Sequence, residues 1–465
     1  MTAGGPTWDA VVVGGGVAGL VAARDLAAAG LRTVVLDADA EPGGAVRGHT
    51  VAGLRLDAGA ESFATRGGTV AAYLGELGLR DRVCLPASHG SWVHLPSGDG
   101  PLPRAGLLGI PSEPFAADVR RTIGLVGALR ASLDRVLPAR VGAAAPSLGA
   151  LVRARLGARV LDRLVRPVVA GVHASDPDDL DVGAVSPGLP AALRESRSLT
   201  RAVRTLRASA PAGSAVQGIE GGLHVLVDTL VADLRAQGVE VRTGTRARRL
   251  RPDPAEAVAY DVELGEGTAL RTRRVVLASP AAADLLAEHA PGGSLPSLDA
   301  GAVVTLVTLV VDAPALDGAP RGTGVLVARE ASDVTAKALT HATAKWPWLA
   351  RTVPAGRHVV RLSYGRAGDA DRVPDDEDAL VDLGLRDASV LLGARLDRSV
   401  LVGSAVVRWT QALPRPSAAH REAVAQVRAT AAALPGVAVC GAWTAGNGLA
   451  SVIPDARAAA SALVG

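Results

Sequence analysis

Residues 11–20 read VVVGGGVAGL, with Gly14, Gly16 and Gly19 in a G-x-G-x-x-G. A strand-type run, DAVVV, enters this turn. An Ala- and Leu-rich helix, VAGLVAARDLAAAG, leaves it and stops at Gly30, and LRTVVLDAD follows as a second strand with Asp37 at its end. Each glycine plays a separate part. Gly14 permits the tight turn, Gly16 lets the backbone approach a pyrophosphate, and Gly19 lets helix and strand pack closely. The helix start, from Gly14, Gly15 and Gly16 into Val17, Ala18 and Gly19, offers amides to phosphates. Asp37, with Ala38 beside it, is placed to accept hydrogen bonds from a ribose. The unit as a whole predicts a dinucleotide site; its plain alternative is a glycine-rich packing turn.

A second glycine pair follows in EPGGAVRG, with Gly43, Gly44 and Arg47. It resembles the second motif of the flavoprotein oxidase superfamily that includes the amine oxidases. That resemblance implies bare backbone against an FAD pyrophosphate, an arginine reaching its charge, and DAGAES (Gly59, Ala60, Glu61, Ser62) running past the flavin. The chain then returns to the nucleotide twice more. The middle holds GVEVRTGTRARRL, a strand and turn near Ala247, and then RRVVLASPA, another strand. Near the end, the strand VAVCGAW carries Gly441. A glycine-rich turn with Gly446, Asn447 and Gly448 then runs into a helix through Leu449 and Val452, whose start can point amides at the flavin carbonyls. Three separated pieces of one nucleotide domain imply FAD rather than NAD.

At 465 residues the chain is too long for one core. The expected class is α/β: a discontinuous Rossmann-like FAD-binding domain (1–88, 209–288, 402–465), a mixed-sheet substrate domain (89–103, 289–401) and a helical insert (104–208). Aromatics are only 2% of residues, so the cores should be aliphatic. The run VVTLVTLVV at 303–311 is shorter than the roughly 18–20 residues of a membrane span and reads as a buried strand. The N-terminus lacks a secretory pattern, and Cys84 and Cys440 build neither a disulfide framework nor a metal cluster. A cytoplasmic protein without a metal is expected. A net charge of +3 is too mild to argue for nucleic acid, and no nucleic-acid partner is expected, but it suits an anionic small molecule. The apolar positions of 147–172 have helical spacing, with Arg153, Arg155, Arg159 and Arg163 on other faces. That helix either packs a domain or offers a surface to a membrane or to a ferrochelatase-like partner.

Over nearly its whole length the chain resembles the oxygen-dependent porphyrinogen oxidases of haem synthesis. The resemblance rests on RPVVAGVHASDPDDLDV (166–182) with GAESFATR (59–66), GLLGIPSEP (106–114), QGIEGGLHVL (217–226), AKALTHATAKWPW (336–348), VRWTQALPRP (407–416) and GNGLASVIPD (446–455). HGSWVHLP at 89–96 and the Lys345-Trp346-Pro347 triplet are more similar to the soluble bacterial branch, which acts on coproporphyrinogen III. Asp37 stands where glutamate is commoner, His173 where Tyr or Phe is frequent, and the final motif lacks a Pro-Asp-Cys.

The resemblance implies a tetrapyrrole substrate, removal of six electrons with O₂ as acceptor and peroxide as product, and no essential side-chain catalyst. The flavin carries the chemistry while the protein orients the ring. Substrate propionates call for guanidinium or ammonium groups, and Arg66 and Lys345 are the candidates, each with a solvated surface cation as alternative. His173 is either a polar pocket wall or a proton carrier. Trp409 is either a flavin neighbour or a core tryptophan. Contact with a ferrochelatase and peripheral membrane association are further expectations. The rival functions are protoporphyrinogen IX oxidation and ligand binding without turnover.

Overall fold

The computed structural model describes residues 7–173, 176–186, 188–208, 216–253, 259–265, 267–298, 302–366, 372–413 and 418–465. The elements that matter here are, in chain order, β1 (Thr7–Val13), α1 (Val17–Ala28), β2 (Thr33–Leu36), β3 (Trp92–Leu95), β4 (Gly98–Pro101), α2 (Ala117–Ser132), α3 (Leu148–Leu156) and α4 (Arg166–His173). They continue with α5 (Val225–Ala236), β5 (Glu240–Arg242), β6 (Ala247–Pro252), β7 (Tyr260–Leu264), β8 (Ala269–Leu277), β9 (Ala302–Asp312), β10 (Gly324–Val327), β11 (Ala338–His341) and β12 (Arg357–Tyr364). The last are α6 (Glu377–Leu392), β13 (Leu401–Leu413), α7 (Ala418–Ala432), β14 (Val437–Val439) and α8 (Leu449–Val464). The chain divides into two compact units: 1–85, 214–301 and 411–465, and 86–213 with 302–410.

The first unit is an α/β layer structure on a sheet of order β5-β2-β1-β8-β7-β6, with β14 also beside β8. β5, β2, β1, β8 and β14 run parallel, and their last residues fall in one row: Arg242, Leu36, Val13, Leu277 and Val439. The strands are short and valine-rich because helices cover both faces. On one face α1, α5 and α8 close over Val12, Val35 and Val276; on the other, Val11, Val34 and Val275 pack with Leu286, Val427 and Trp443. α1 ends at Ala28, and Gly30 follows with φ +82°, a left-handed stop that matches the sequence reading.

The second unit holds a mixed sheet of order β13-β9-β12-β11-β10-β3-β4. The run 303–311 is indeed a strand, β9, paired along its length with β12. One sheet face carries Val307, Leu309, Val360 and Leu362 against α6. Residues 110–206 form a second aliphatic core of their own. Of the apolar positions in 147–172, those from 148 to 165 are buried in this core and Val168 is half-buried, as a domain-packing helix requires. The helix breaks at Gly157 (φ +92°).

Arg155 corrects the sequence reading. Expected on an outer face, it is fully buried and ion-paired to Asp134 at 2.5 Å. Asp134 also accepts from the Ser198 hydroxyl (2.6 Å), the Thr200 amide (2.9 Å) and the Leu199 amide (3.1 Å). A charge goes inside when a partner distant in the chain meets it, and periodicity does not report such a partner.

Candidate functional site

In an open parallel sheet, ligands lie beyond the carboxyl ends of the strands. The row Arg242–Leu36–Val13–Leu277–Val439 is that edge, and most residues predicted to hold a nucleotide leave from it. After β1, the Gly14 amide donates to Leu36 O (2.8 Å), and Gly14 turns at φ +113°. A Cβ on Gly19 would lie 1.8 Å from Gly14 O, so α1 can sit on this turn only with glycine there. Asp37 follows β2 directly. It is half-buried beside Gly15, and its Oδ1 accepts the Asp39 amide (3.0 Å). Burial pushes the Asp37 carboxyl above its ordinary range, against the lowering effect of the Asp39 and Gly15 amides. After β5, the Thr245 amide donates to Asp37 O (2.7 Å), two residues before Ala247 opens β6.

The second glycine pair meets the first. The Gly43 amide donates to Gly15 O (2.8 Å), Gly43 forms a bridge with Gly16, and Gly44 lies against Gly16 Cα. Gly43 has φ +111° and a built Cβ would strike Val227 of α5 at 2.9 Å. Arg47 pairs with Asp39 at 3.3 Å, and its carbonyl accepts the Ala58 amide (3.0 Å). The Ala60 amide bonds Ala45 O (2.8 Å), which ties the stretch holding Gly59, Ala60, Glu61 and Ser62 to the same turn. Sequence reasoning missed Asp57, whose carboxylate accepts the Leu223 and His224 amides (2.9 and 2.8 Å) and faces His224 Nδ1 (2.9 Å). It clamps the segment from the middle of the chain onto the first.

After β14, Gly441 donates its amide to Asp455 Oδ2 (2.9 Å), which also accepts the Thr444 hydroxyl (2.8 Å), while Asp455 Oδ1 pairs with Arg428 (2.6 Å). Asp455 therefore sets the turn that carries Gly446, Asn447 and Gly448 into α8, and no glycine pattern could have pointed to it. Leu449 and Val452 are buried in the first turns of α8, which packs against α1 and against the segment 63–68 that carries exposed Arg66.

A long dinucleotide needs bare backbone and unspent amides, and both are present. A Cβ on Gly16, Gly446 or Gly448 would meet nothing within 4 Å. α1 and α8 begin with no side-chain cap and no acidic residue in the first turn. These residues fit a flavin dinucleotide.

The remaining predicted residues belong to the second unit. Lys345 is half-buried, its Nζ 5.1 Å from the Trp346 ring centre and its carbonyl accepting the Ala87 amide (2.8 Å). Trp409 is half-buried on β13. His173 ends α4, and its side chain lies outside the described residues. Arg361 was missed. It is half-buried at the centre of the sheet, in a polar row across three strands: Thr308, Arg361, Thr340. This face is the one opposite the aliphatic core under α6, and Leu326, on the same face, packs against Gly171 of α4. The only hint in the sequence was an arginine interrupting the apolar run HVVRLSY. Among the described residues no group of three or more His, Cys, Asp or Glu side chains could hold a metal, and no helix is long and apolar enough to cross a membrane.

The profile of the flavin containing amine oxidoreductases matches residues 17–463. Coproporphyrinogen III oxidase of Bacillus subtilis is 27% identical over 97% of both chains. Coproporphyrinogen III oxidase of Mycobacterium tuberculosis is 30% identical over 97% of this chain and 96% of its own. A solved chain from Exiguobacterium, provisionally named a protoporphyrinogen oxidase, superposes with a TM-score of 0.80 at 23% identity, covering 99% of this chain and 98% of that one.

Proposed function

From the premise that the chain belongs to the family of flavin containing amine oxidoreductases, we propose that it oxidises coproporphyrinogen III to coproporphyrin III, passing the electrons to O₂ with H₂O₂ as product. FAD is the cofactor, as the family and the fold require. The observation that carries the substrate is the end-to-end similarity, at 25–31% identity, to relatives named coproporphyrinogen III oxidase.

The flavin, when bound, supplies a hydride acceptor able to be reoxidised by O₂. This chain's own residues bind and orient. Gly14, Gly15, Gly16, Val17, Ala18 and Gly19 present the α1 amides to the pyrophosphate, and Gly43, Gly44 and Arg47 approach it from the other side. Asp37 and Ala38 take the ribose, and Ala247 borders the nucleoside. Gly59, Ala60, Glu61 and Ser62 run along the cofactor, and Gly441, Gly446, Asn447, Gly448, Leu449 and Val452 bring the α8 amides to the flavin carbonyls. We assign the FAD-binding domain to 1–88, 209–288 and 402–465, the substrate domain to 89–103 and 289–401, and the helical insert to 104–208. Arg66 and Lys345 offer charge to the propionates, with His173 as a polar wall and Trp409 as a flavin neighbour. None of these side chains is required to move a proton.

The test is an aerobic assay of the purified yellow protein with coproporphyrinogen III and protoporphyrinogen IX side by side. Expected are growing coproporphyrin fluorescence, matching oxygen uptake and peroxide. A clear preference for protoporphyrinogen IX would reassign the substrate, and retained FAD without turnover on either would make the chain a binding protein.

A further inference from the structure

In the first unit, the stretch 216–227 contains the motif QGIEGGLHVL and meets four segments from the start of the chain. Its strand, Val216–Ile219, is the middle one of three, paired with Phe63–Ala64 on one side and with Val83–Cys84 on the other. Leu223 and His224 follow, and both amides donate to the Asp57 carboxylate (2.9 and 2.8 Å). Val227, in the first turn of α5, lies 2.9 Å from where a Cβ on Gly43 would stand.

The loop 57–64 is therefore held at both ends by chain from the middle of the sequence. At 63–64 the hold is backbone pairing, Val216 with Ala64 and Gln217 with Phe63. At 57 it is a side chain, reaching a residue 166 positions further on. Between the two ends, Gly59, Glu61 and Ser62 are half-buried and Ala60 is exposed. The Ala58 and Ala60 amides bond to Arg47 O and Ala45 O (3.0 and 2.8 Å), next to the second glycine pair. Chain fixed between two points has less freedom to lose when a ligand seats against it.

The hold at Asp57 is closely specified. Its Oδ2 accepts the Leu223 amide, and its Oδ1 accepts the His224 amide and faces His224 Nδ1 at 2.9 Å. A carboxylate only accepts, so the ring donates to it. Three donors set the plane of the carboxylate and the direction in which the chain leaves Asp57. Both side chains are shielded from water, His224 at 3% exposure and Asp57 at 9%, so solvent does not replace these bonds. The ring fits because its neighbours are bare: a Cβ on Gly222 (φ +107°) would come within 2.6 Å of it, and one on Gly48 within 2.8 Å.

We propose that Asp57 and His224 are positioning residues for the cofactor. Their bond holds residues 58–62 in place before FAD arrives, so that this stretch meets the flavin preformed. The proposal rests on the reading that 59–62 run along FAD, and both residues act through that stretch.

The experiment follows hydrogen exchange by mass spectrometry on the full chain, with FAD bound and after stripping. FAD should slow exchange across 58–62; without such protection the stretch lies away from the cofactor, and the reading and the proposal fall together. In the holoenzyme, Asp57→Asn keeps the shape but turns an amide group toward three donors. Exchange across 58–62 should quicken while that of β1 and β2 stays at the parent level. FAD should leave about ten- to a hundredfold faster, and the visible circular dichroism of the bound flavin should change. Protection by FAD in the parent with no such changes in Asp57→Asn would overturn the positioning role and leave the reading of 59–62 standing. His224→Asn, whose amide nitrogen stands near the place of Nδ1, should behave as the parent. His224→Leu, which drops only the ring's bond, should release FAD about three- to tenfold faster. This milder pair carries the test should Asp57→Asn fail to fold. A purely structural bond would lower the unfolding midpoint and leave flavin dichroism and FAD release at parent values; that result, or equal release from His224→Asn and His224→Leu, would overturn the proposal.

Discussion

At the carboxyl edge of the first unit's sheet the groups proposed to meet the cofactor are main-chain atoms. Gly14–Gly16, Gly43–Gly44 and Gly446–Gly448 strip away side chains so that the amides of α1 and α8 stand open. In the histidine cluster of the second unit the polar groups are buried side chains bonded to one another. His341, Thr343, His358 and Asp317 come from separate strands and turns and satisfy one another, leaving a single nitrogen over. The first design tolerates a long, charged ligand because backbone dipoles need no counter-ion and no pKa to be tuned. The second serves the fold itself, because each side chain is held by the next and little is left for a ligand. One unit thus leaves main-chain groups uncovered while the other spends its polar side chains on packing.

The sharpest way to break the main-chain design is Gly19→Val. The new Cβ would fall 1.8 Å from Gly14 O, and main chain cannot rotate aside as a side chain would. α1 must lift off the turn, and the purified variant should be colourless, measured as the ratio of flavin to protein absorbance. A yellow Gly19→Val protein would show that the helix start does not hold the cofactor.

The second unit's dependence on paired side chains is tested by Arg155→Leu. Removing the guanidinium strands Asp134 in the core, at a cost of about 3–5 kcal/mol, read as a fall in the midpoint of denaturant unfolding. Changing both partners to apolar residues should recover much of it. The pH dependence has a definite sign. Burial alone would raise Asp134, but Ser198, Thr200, Arg155 and Leu199 outweigh it and hold the carboxyl below its ordinary 3.8. Its stabilisation is complete above 3.8 and is lost as pH falls through the lower folded value. His341, held near 4 against an ordinary 6.5 by burial and its histidine neighbours, also favours the fold at high pH, and its contribution drains away between about 6.5 and 4. Unfolding midpoints should therefore drop in two stages on acidification, and His341→Phe should remove the first.

A smaller effect on the main-chain side is expected for Asp37→Ala, because its carboxylate is the side chain proposed to hold the ribose. Losing a hydrogen-bonded charge costs about 1.5–3 kcal/mol, which is about ten- to a hundredfold in FAD affinity, measured by reconstituting stripped protein. Unchanged affinity would remove Asp37 from the ribose.

The contrast between the sites also explains what could be read beforehand. The glycine motifs are local: a turn, its helix and its strand lie within about thirty residues, so the βαβ unit, the final helix and the strand 302–312 were all legible in the sequence. Asp57, Asp455, Arg155 and the His341–His358–Asp317 chain were not. Each depends on a partner brought in by the fold, from residues 223, 441, 134 and 317 respectively, and neither period nor composition carries that information. Arg155 was misplaced for this reason. Three arginines of the same stretch do sit at partly or fully exposed positions, and only the distant carboxylate distinguishes the fourth. Arg361 was overlooked because an arginine in a strand reads as an edge until the strand order shows it to be central.

The gentlest test concerns helix starts, where the two designs can be compared like for like. α3 is capped by Ser147, whose hydroxyl oxygen accepts the Ala150 amide at 3.1 Å, and α6 by Asp376, whose Oδ1 accepts the Ala379 amide at 2.8 Å. α1 and α8 have no such cap and no acidic residue in the first turn, whereas the equally uncapped α2 and α5 carry Asp118 and Asp228 there. If bare helix starts are reserved for a ligand, capping serves stability alone in the second unit. Ser147→Ala should then cost about 1 kcal/mol, seen as a small shift in thermal unfolding, with FAD affinity unchanged. The difference between helix ends that spend their amides on the protein and those that keep them open would be lost if Ser147→Ala weakened FAD binding as much as Asp37→Ala.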